Sequence, residues 1–166
     1  LKKLKDFKEA WEQHHGSMEV MTFLHGIGIS QAFAARIYTH FGMNCIPRIK
    51  KNPYELTEVN GIGFLSADTY ARELGFSENS PERAMSAVTH MLDQQAQNGH
   101  TCFPRQELIK KTVEELHIKQ EVVEDALEVL TEERLVKVLD PAKNSAFDTE
   151  MLARPRFYFA EQRIVE

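Results

Sequence analysis

Residues 56–67, which read LTEVNGIGFLSA, decide the fold of this 166-residue chain. Leu56 and Val59 have the spacing of one face of a short helix. The Gly61-Ile62-Gly63 turn breaks that helix, and a second helix is predicted from Phe64 to Leu74. The stretch therefore predicts two short helices joined by a tight turn.

Each residue type in this turn has a physical role. Glycines permit positive φ and a close approach of the backbone to a phosphate. Ile62 is expected to fill the space between the two helices, and the small Ala67 lets them cross closely. Amide hydrogens at the turn then point outward, where the helix dipole favours an anion. This helix-hairpin-helix pattern predicts a phosphate clamp that ignores base sequence, formed by Gly61, Ile62, Gly63, Phe64 and Ser66.

The same pattern occurs once more, thirty-three residues earlier. Short helices are predicted over Met18–Leu24 and Ile29–Phe41, and the repeat aligns Gly28-Ile29-Ser30 with Gly61-Ile62-Gly63, Ala34 with Ala67, Ile37 with Tyr70, and Gly42 with Gly75. Ser30 replaces the second glycine, and a positive φ there would be costly. We therefore expect the turn at Gly61 to bind phosphate better than Gly28, Ser30 and Gln31 of the first copy.

A basic cluster lies in the connector between the two copies. Cys45 to Lys51 is predicted to form one turn or more of helix, and it carries Arg48, Lys50 and Lys51. The cluster has two interpretations that the sequence leaves open. It is either a solvated helix face or a further set of phosphate contacts.

The second half of the chain has a different pattern of elements. The first element is a helix with Ser80 as its cap and Pro81 in its first turn, and an extended piece follows at Thr101–Phe103. Pro104 and Lys119 then open two more helices, and two strands are predicted after them, Leu135–Leu139 and Arg156–Ala160. This order is that of a winged helix with a small β-hairpin, and Asp140–Pro155 is expected to be a loop. The fold class is therefore mainly α, with a lead-in helix or linker over 1–17, a tandem helix-hairpin-helix over 18–77 and a winged-helix-like α+β unit over 78–166.

The charges of the third winged-helix segment argue against reading of DNA bases. Between Gln120 and Glu133 there are six acidic residues and no basic one, so a DNA groove would repel this helix. The favoured interpretation is a packing element with a solvated acidic face. A more specific version of it is that this face docks a basic protein partner.

Composition narrows the class of protein further. The net charge of −5 argues against a chain wrapped in nucleic acid, yet residues 1–75 carry nine basic and eight acidic side chains, so the first half is the one suited to phosphate. No apolar run is long enough for a membrane span and no secretory leader is legible, so we expect a cytoplasmic protein without a membrane partner. Its start at Leu1 suggests a piece of a longer chain.

Several of these motifs occur together in a known family. Gly28-Ile29-Ser30, Asn52-Pro53-Tyr54, Gly61-Ile62-Gly63-Phe64, Ser80-Pro81-Glu82-Arg83 and Gly99-His100 appear in this order. The chain, from about Met18 to Glu166, resembles the segment that precedes the motor in RecD/TraA-type helicases, also called exodeoxyribonuclease V alpha subunit-like proteins. The resemblance implies a parent that is an ATP-dependent superfamily 1 helicase moving 5′ to 3′ in DNA repair or recombination, with ATP and Mg²⁺ in its motor and DNA and those motor domains as partners of this segment.

Catalytic chemistry is not legible in the chain itself. None of the eight glycines belongs to a GxxxxGK[ST] phosphate loop, and no catalytic residue, cofactor site or metal cluster follows from the spacing of the His, Cys and acidic residues. We expect an accessory module that binds DNA, single-stranded or at a junction, through its backbone. The alternative is a protein-docking module without DNA affinity, and a small nuclease or glycosylase is disfavoured.

Overall fold

A computed structural model describes residues 15–139 and 149–158. The chain divides into two compact units, Leu1–Phe76 and Ser77–Glu166. This boundary lies one residue from the one that the sequence analysis places between 77 and 78. Each unit is compact by itself. No helix in the described ranges is long and apolar enough to cross a membrane.

The first unit consists of short helices, as the sequence predicts. Its first helix, α1, covers 15–26 of the described residues and so extends past the predicted end at Leu24. The elements that follow are α2 (Gln31–Phe41), a 3₁₀ turn (Gly42–Asn44), α3 (Cys45–Lys51), a 3₁₀ segment (Pro53–Glu58) and α4 (Phe64–Glu73). The predicted helix from Ile29 begins at Gln31 instead, because Ile29 and Ser30 form the extended end of the turn before it.

One apolar core holds these pieces together. Leu24, Ile37, Ile49 and Leu56 come from four different elements and are all fully buried. Asn52 begins the 3₁₀ segment by accepting a hydrogen bond from the Tyr54 amide through its side chain, at 3.0 Å. Because each helix is short, burial of side chains and not helix propensity supplies most of the stability of the unit.

The second unit has the element order of a winged helix. It contains α5 (Pro81–Gln97), β1 (Cys102–Pro104), α6 (Arg105–Leu116), α7 (Gln120–Glu132), β2 (Lys137–Leu139) and β3 (Met151–Ala153). In the described part of the sheet, β3 lies between β1 and β2 and is antiparallel to both. Leu152 is central, since it pairs with both Phe103 and Val138.

The prediction for the last strand is wrong. The strand expected at Arg156–Ala160 lies earlier, at Met151–Ala153, inside the stretch expected to be a loop. Residues 155–158 are helical, because Pro155 suits the first turn of a helix, where no amide hydrogen is needed. Residues 159 and 160 lie outside the described residues. Three strand residues are too few to show an alternating pattern, and the fully buried Leu152 is what holds β3 in the sheet.

The core of the second unit includes one buried cation. Leu108, Val123 and Leu127 are buried as predicted, whereas Met85 of the predicted α5 stripe is only half-buried. Arg83 takes a buried place on α5, and its Nη1 donates to the carbonyls of Glu78 at 2.8 Å and Leu116 at 3.0 Å. The guanidinium thus satisfies a carbonyl at the end of α6, where the helix dipole also favours a positive charge.

Candidate nucleic-acid interface

The two hairpin turns share a glycine of the same conformation. Gly28 and Gly61 both have positive φ, 84° and 91°. Only glycine adopts such angles without strain. The repeat found in the sequence therefore reproduces the positive φ of its first glycine.

The apolar residue of each turn points inward. Ile29 is 2% exposed and Ile62 is 4% exposed, as predicted for a residue that fills the space between helices. The Ile29 amide donates to the carbonyl of Leu24 and the Ile62 amide to that of Val59, each at 3.0 Å. Because the isoleucine side chains are buried and their amides are engaged within the protein, a ligand at either turn would meet the main chain of the residues that follow the isoleucine.

The third residue of each turn corrects one expectation. Ser30 has φ −67° and Gly63 has φ −90°, and both are extended residues that precede a helix. Neither position requires positive φ, so the expected penalty at Ser30 does not exist. The prediction that a costly positive φ at Ser30 weakens phosphate binding at the first turn is therefore wrong.

The two helices that follow the turns also match. Ala34 and Ala67 are both fully buried, as expected where helices cross closely. The aligned pair Ile37 and Tyr70 differs, because Ile37 is fully buried and Tyr70 is only half-buried. The repeat is thus closest at the turns and weaker along the helices.

The residues after Gly63 divide into a buried and an exposed set. Phe64 is 3% exposed and stacks on Tyr54 with ring centroids 5.9 Å apart, so its side chain cannot contact DNA. The Tyr54 hydroxyl in turn donates to the buried Asp68 carboxylate at 2.8 Å. Leu65, at 65% exposed, and Ser66 face solvent beside the turn. In the first copy Gln31, which aligns with the buried Phe64, is exposed.

The basic cluster of the connector is partly engaged within the protein. Arg48 Nε contacts a Glu55 oxygen at 2.5 Å, and the guanidinium lies over the Phe41 ring, 4.5 Å from its centroid. Lys50 is exposed and its ammonium lies 5.5 Å from the centre of the Phe23 ring, while Lys51 is exposed. The interpretation of Arg48 as a phosphate contact loses support, because a carboxylate already neutralises it.

Sequence reasoning missed the residues that adjoin the second turn. A methyl group added at Gly61 would lie 3.2 Å from Arg36 Nη1 and 3.2 Å from Phe33 Cε1. Arg36 also donates to the carbonyl of Asn60 at 3.4 Å. Neither Phe33 nor Arg36 belongs to the repeat pattern, and they reach the turn only because α2 packs beside it. No local sequence signal could have identified them.

Comparison with known proteins agrees with this geometry. The family model for the ATP-dependent RecD2 DNA helicase HHH domain matches residues 13–102, which is more than half of the chain. The chain belongs to this family. It is also 33% identical over 105 residues to the ATP-dependent RecD2 DNA helicase of Deinococcus radiodurans, a match that covers 63% of this chain and 15% of that relative. The matched residues thus span a small part of that helicase.

The matched region of this HHH family member includes both hairpin turns and continues through α5 to the start of β1. It therefore ends before the remaining helices and strands of the winged helix. The acidic helix α7 lies outside it, with Glu121, Asp125, Glu128 and Glu132 exposed. The two units thus differ in surface character, with the hairpin turns in one and the acidic helix in the other.

Reactive groups in the described part of this HHH family member are few. No set of three or more His, Cys, Asp or Glu residues there could hold a metal ion. Burial raises the pKa of Cys45 to about 11, so its thiol is neutral at physiological pH and a poor nucleophile. Burial also lowers the pKa of His90, although the Asp93 and Glu115 carboxylates oppose that shift. These observations give no support to a nuclease or glycosylase site.

Proposed function

We propose that this chain is a DNA-binding module of an ATP-dependent DNA helicase and that its hairpin turns hold the DNA backbone without reading base sequence. The observation that carries the proposal is the pair of matched turns, each with a positive-φ glycine and a buried isoleucine. Such a turn presents the first main-chain amides of the following helix, with little side chain in front of them. Phosphate is the part of DNA that main-chain amides recognise irrespective of base.

The surroundings of the turns suit this role. Nothing lies within 4 Å of a methyl group placed on Gly28 or on Gly63, so the backbone is open at both positions. Each turn leads into α2 or α4, and the first amides of a helix have no partner within that helix. A phosphate oxygen placed there gains hydrogen bonds and favourable interaction with the helix dipole. Leu65 and Ser66 border the same surface.

The proposal for the parent protein follows from the family. We expect its motor, with ATP and Mg²⁺, to lie outside this chain, because this sequence contains no phosphate loop of the Walker type. The motor would move along single-stranded DNA, 5′ to 3′ by the family resemblance, while the hairpin turns hold a strand or a junction. We expect a cytoplasmic location for such a protein.

A second candidate function rests on α7. Its buried face packs in the winged helix, and its other face presents exposed carboxylates around Val129, which is 39% exposed. This combination would suit a basic protein surface, including one on the motor domains of the parent. In this alternative the chain docks a partner and has no DNA affinity of its own.

The decisive experiment measures binding of labelled single-stranded, duplex and forked DNA to the 166-residue chain by fluorescence anisotropy over a salt series. The matched variants are Ser30→Glu and Gly63→Glu, which place a carboxylate at each turn where the backbone angles accept any residue. Gln106→Glu, at an exposed position of α6, adds the same charge elsewhere. Circular dichroism is used to check that all variants fold.

We expect binding that weakens as salt rises, and we expect it to fall by about tenfold, or about 1.4 kcal/mol, in Gly63→Glu, because the added carboxylate repels the phosphate. Gln106→Glu should bind within about twofold of the wild type. Absence of wild-type binding to every DNA at low salt would contradict the proposal and favour docking through α7.

A further inference from the structure

The guanidinium of Arg36 lies beside the second hairpin turn. It comes from α2, which follows the first turn, yet its Nη1 donates to the carbonyl of Asn60, the residue before Gly61. The guanidinium also lies over the Phe33 ring, 5.4 Å from the ring centroid. These two contacts hold the charged group at the edge of the turn while leaving Arg36 exposed to solvent.

The charge of Arg36 is available to a ligand. In the described ranges 15–139 and 149–158, no carboxylate lies within ion-pair distance of it. Arg48 provides the contrast within the same unit, because it pairs with Glu55 and lies 3.8 Å from a Glu58 oxygen. The two arginines are both exposed, but only Arg48 is neutralised by the protein itself.

A groove continues from the turn along α2. It has a volume of about 770 Å³, and its lining includes Arg36, Thr39, His40, Glu58 and Asn60. The acidic residue in this lining is already engaged, since Glu58 contacts His40 at 3.4 Å as well as Arg48. Arg36 stands where the groove meets the hairpin turn, so a strand that crosses the turn would pass its guanidinium.

We propose that Arg36 binds a DNA phosphate at the second hairpin turn and supplies the positive charge that the turn residues themselves lack. This inference rests on the proposed function, because it assigns a further binding residue to the same site. The guanidinium suits phosphate binding because it has a permanent charge, several N–H donors and a fixed plane. One donor engages Asn60, and the others remain for phosphate oxygens.

The inference also orders the two turns. At Gly28 no atom lies within 4 Å of an added methyl group, so no described cation adjoins the first turn in the way that Arg36 adjoins Gly61. The second turn is therefore the stronger phosphate site, for a reason unrelated to the serine-for-glycine difference between the copies. The first turn would contribute main-chain amides only.

The test compares Arg36→Gln with Arg48→Gln in the anisotropy assay on the 166-residue chain. Glutamine is polar and removes the charge, and Arg36 is exposed, so folding is expected to survive. We expect Arg36→Gln to bind about fivefold more weakly at low salt. The slope of log affinity against log salt should fall by about 0.7 for single strands or about 0.9 for duplex, as one phosphate contact is lost.

Three results would separate the claims. Wild-type affinity and slope in Arg36→Gln, together with lost binding in Gly63→Glu, would overturn the role of Arg36 and leave the proposed function intact. Equal losses in Arg36→Gln and Arg48→Gln would also overturn it, because surface charge in general would then explain both. Absence of wild-type binding would overturn the proposed function and this inference with it. Arg36→Lys, which keeps the charge, should retain the wild-type slope.

Discussion

The first glycine of each hairpin turn has a φ near 90°, 84° at Gly28 and 91° at Gly61, yet the two glycines have different neighbours. A methyl group added at Gly61 would lie 3.2 Å from both Phe33 and Arg36, whereas no atom would lie within 4 Å of a methyl group on Gly28. The repeated sequence pattern thus gives the two glycines the same φ in different environments. The two turns therefore differ in the side chains beside them, because α2 brings Phe33 and Arg36 to Gly61 only.

The largest effects should fall on the features that the two turns share. Ile29→Ala and Ile62→Ala each remove a side chain that is at most 4% exposed. Each substitution leaves a cavity, and we expect each to lower the free energy of unfolding by about 3 kcal/mol. Urea denaturation followed by circular dichroism measures both values.

The comparison predicts that these two losses agree within about 1 kcal/mol, because both isoleucines fill equivalent spaces. A loss at one position only would mean that one hairpin is incidental to the core. The matched control is Leu65→Ala, since Leu65 is 65% exposed and its truncation should change stability by less than about 0.5 kcal/mol.

The next effect separates the two glycines. Gly28→Ala and Gly61→Ala both force alanine into positive φ, at a cost of about 1–2 kcal/mol. Gly61→Ala also brings a methyl group to 3.2 Å from the Phe33 ring, which adds about 1 kcal/mol of overpacking. Thermal and urea denaturation should therefore find Gly61→Ala the less stable variant. Equal stabilities would show that the Phe33 ring moves aside without cost. The close neighbours of Gly61 would then make no difference to the stability of the two variants.

Much of the first unit follows from its sequence, but the neighbours of its turns do not. Gly61, Ile62 and Ala67 behave as their spacing predicts, since turn geometry and burial are local properties of the pattern. Arg36 reaches Gly61 from twenty-five residues away through tertiary packing, which no periodicity encodes. Phe64 is a similar case, because its place in the turn suggested contact with DNA while stacking on Tyr54 buried it.

In the second unit the sequence predicts the helices correctly but misplaces the last strand. Val123, Leu127 and Leu130 have helical spacing and are buried as expected in α7. The strand β3 has only three residues, so its position depends on pairing with β1 and β2 and not on its own pattern. Elements that are stabilised chiefly by long-range pairing are the ones that reading along the chain misplaces.

A smaller effect concerns a polar pair that only the second hairpin has. The Tyr54 hydroxyl donates to Asp68 at 2.8 Å, and both residues are buried. Tyr54→Phe removes that donor and should lower the free energy of unfolding by about 1–2 kcal/mol in urea denaturation. Tyr38→Phe is the control, because the Tyr38 hydroxyl contacts only the weakly accepting Met43 sulfur, at 3.6 Å, among the described residues. If the two variants were equally stable, the pair would add nothing to the second hairpin.

The smallest effect is expected from exchanging the residues that distinguish the two turns. Ser30→Gly and Gly63→Ser act at extended positions, so each should change stability by less than about 0.5 kcal/mol and DNA affinity by less than about twofold. Anisotropy and urea denaturation on the two single variants and the double variant measure this. A tenfold loss of binding in Gly63→Ser alone would mean that a phosphate approaches that backbone more closely than a serine side chain permits. The glycine would then add to the advantage that Arg36 gives the second turn, and the inequality of the two sites would have two causes instead of one.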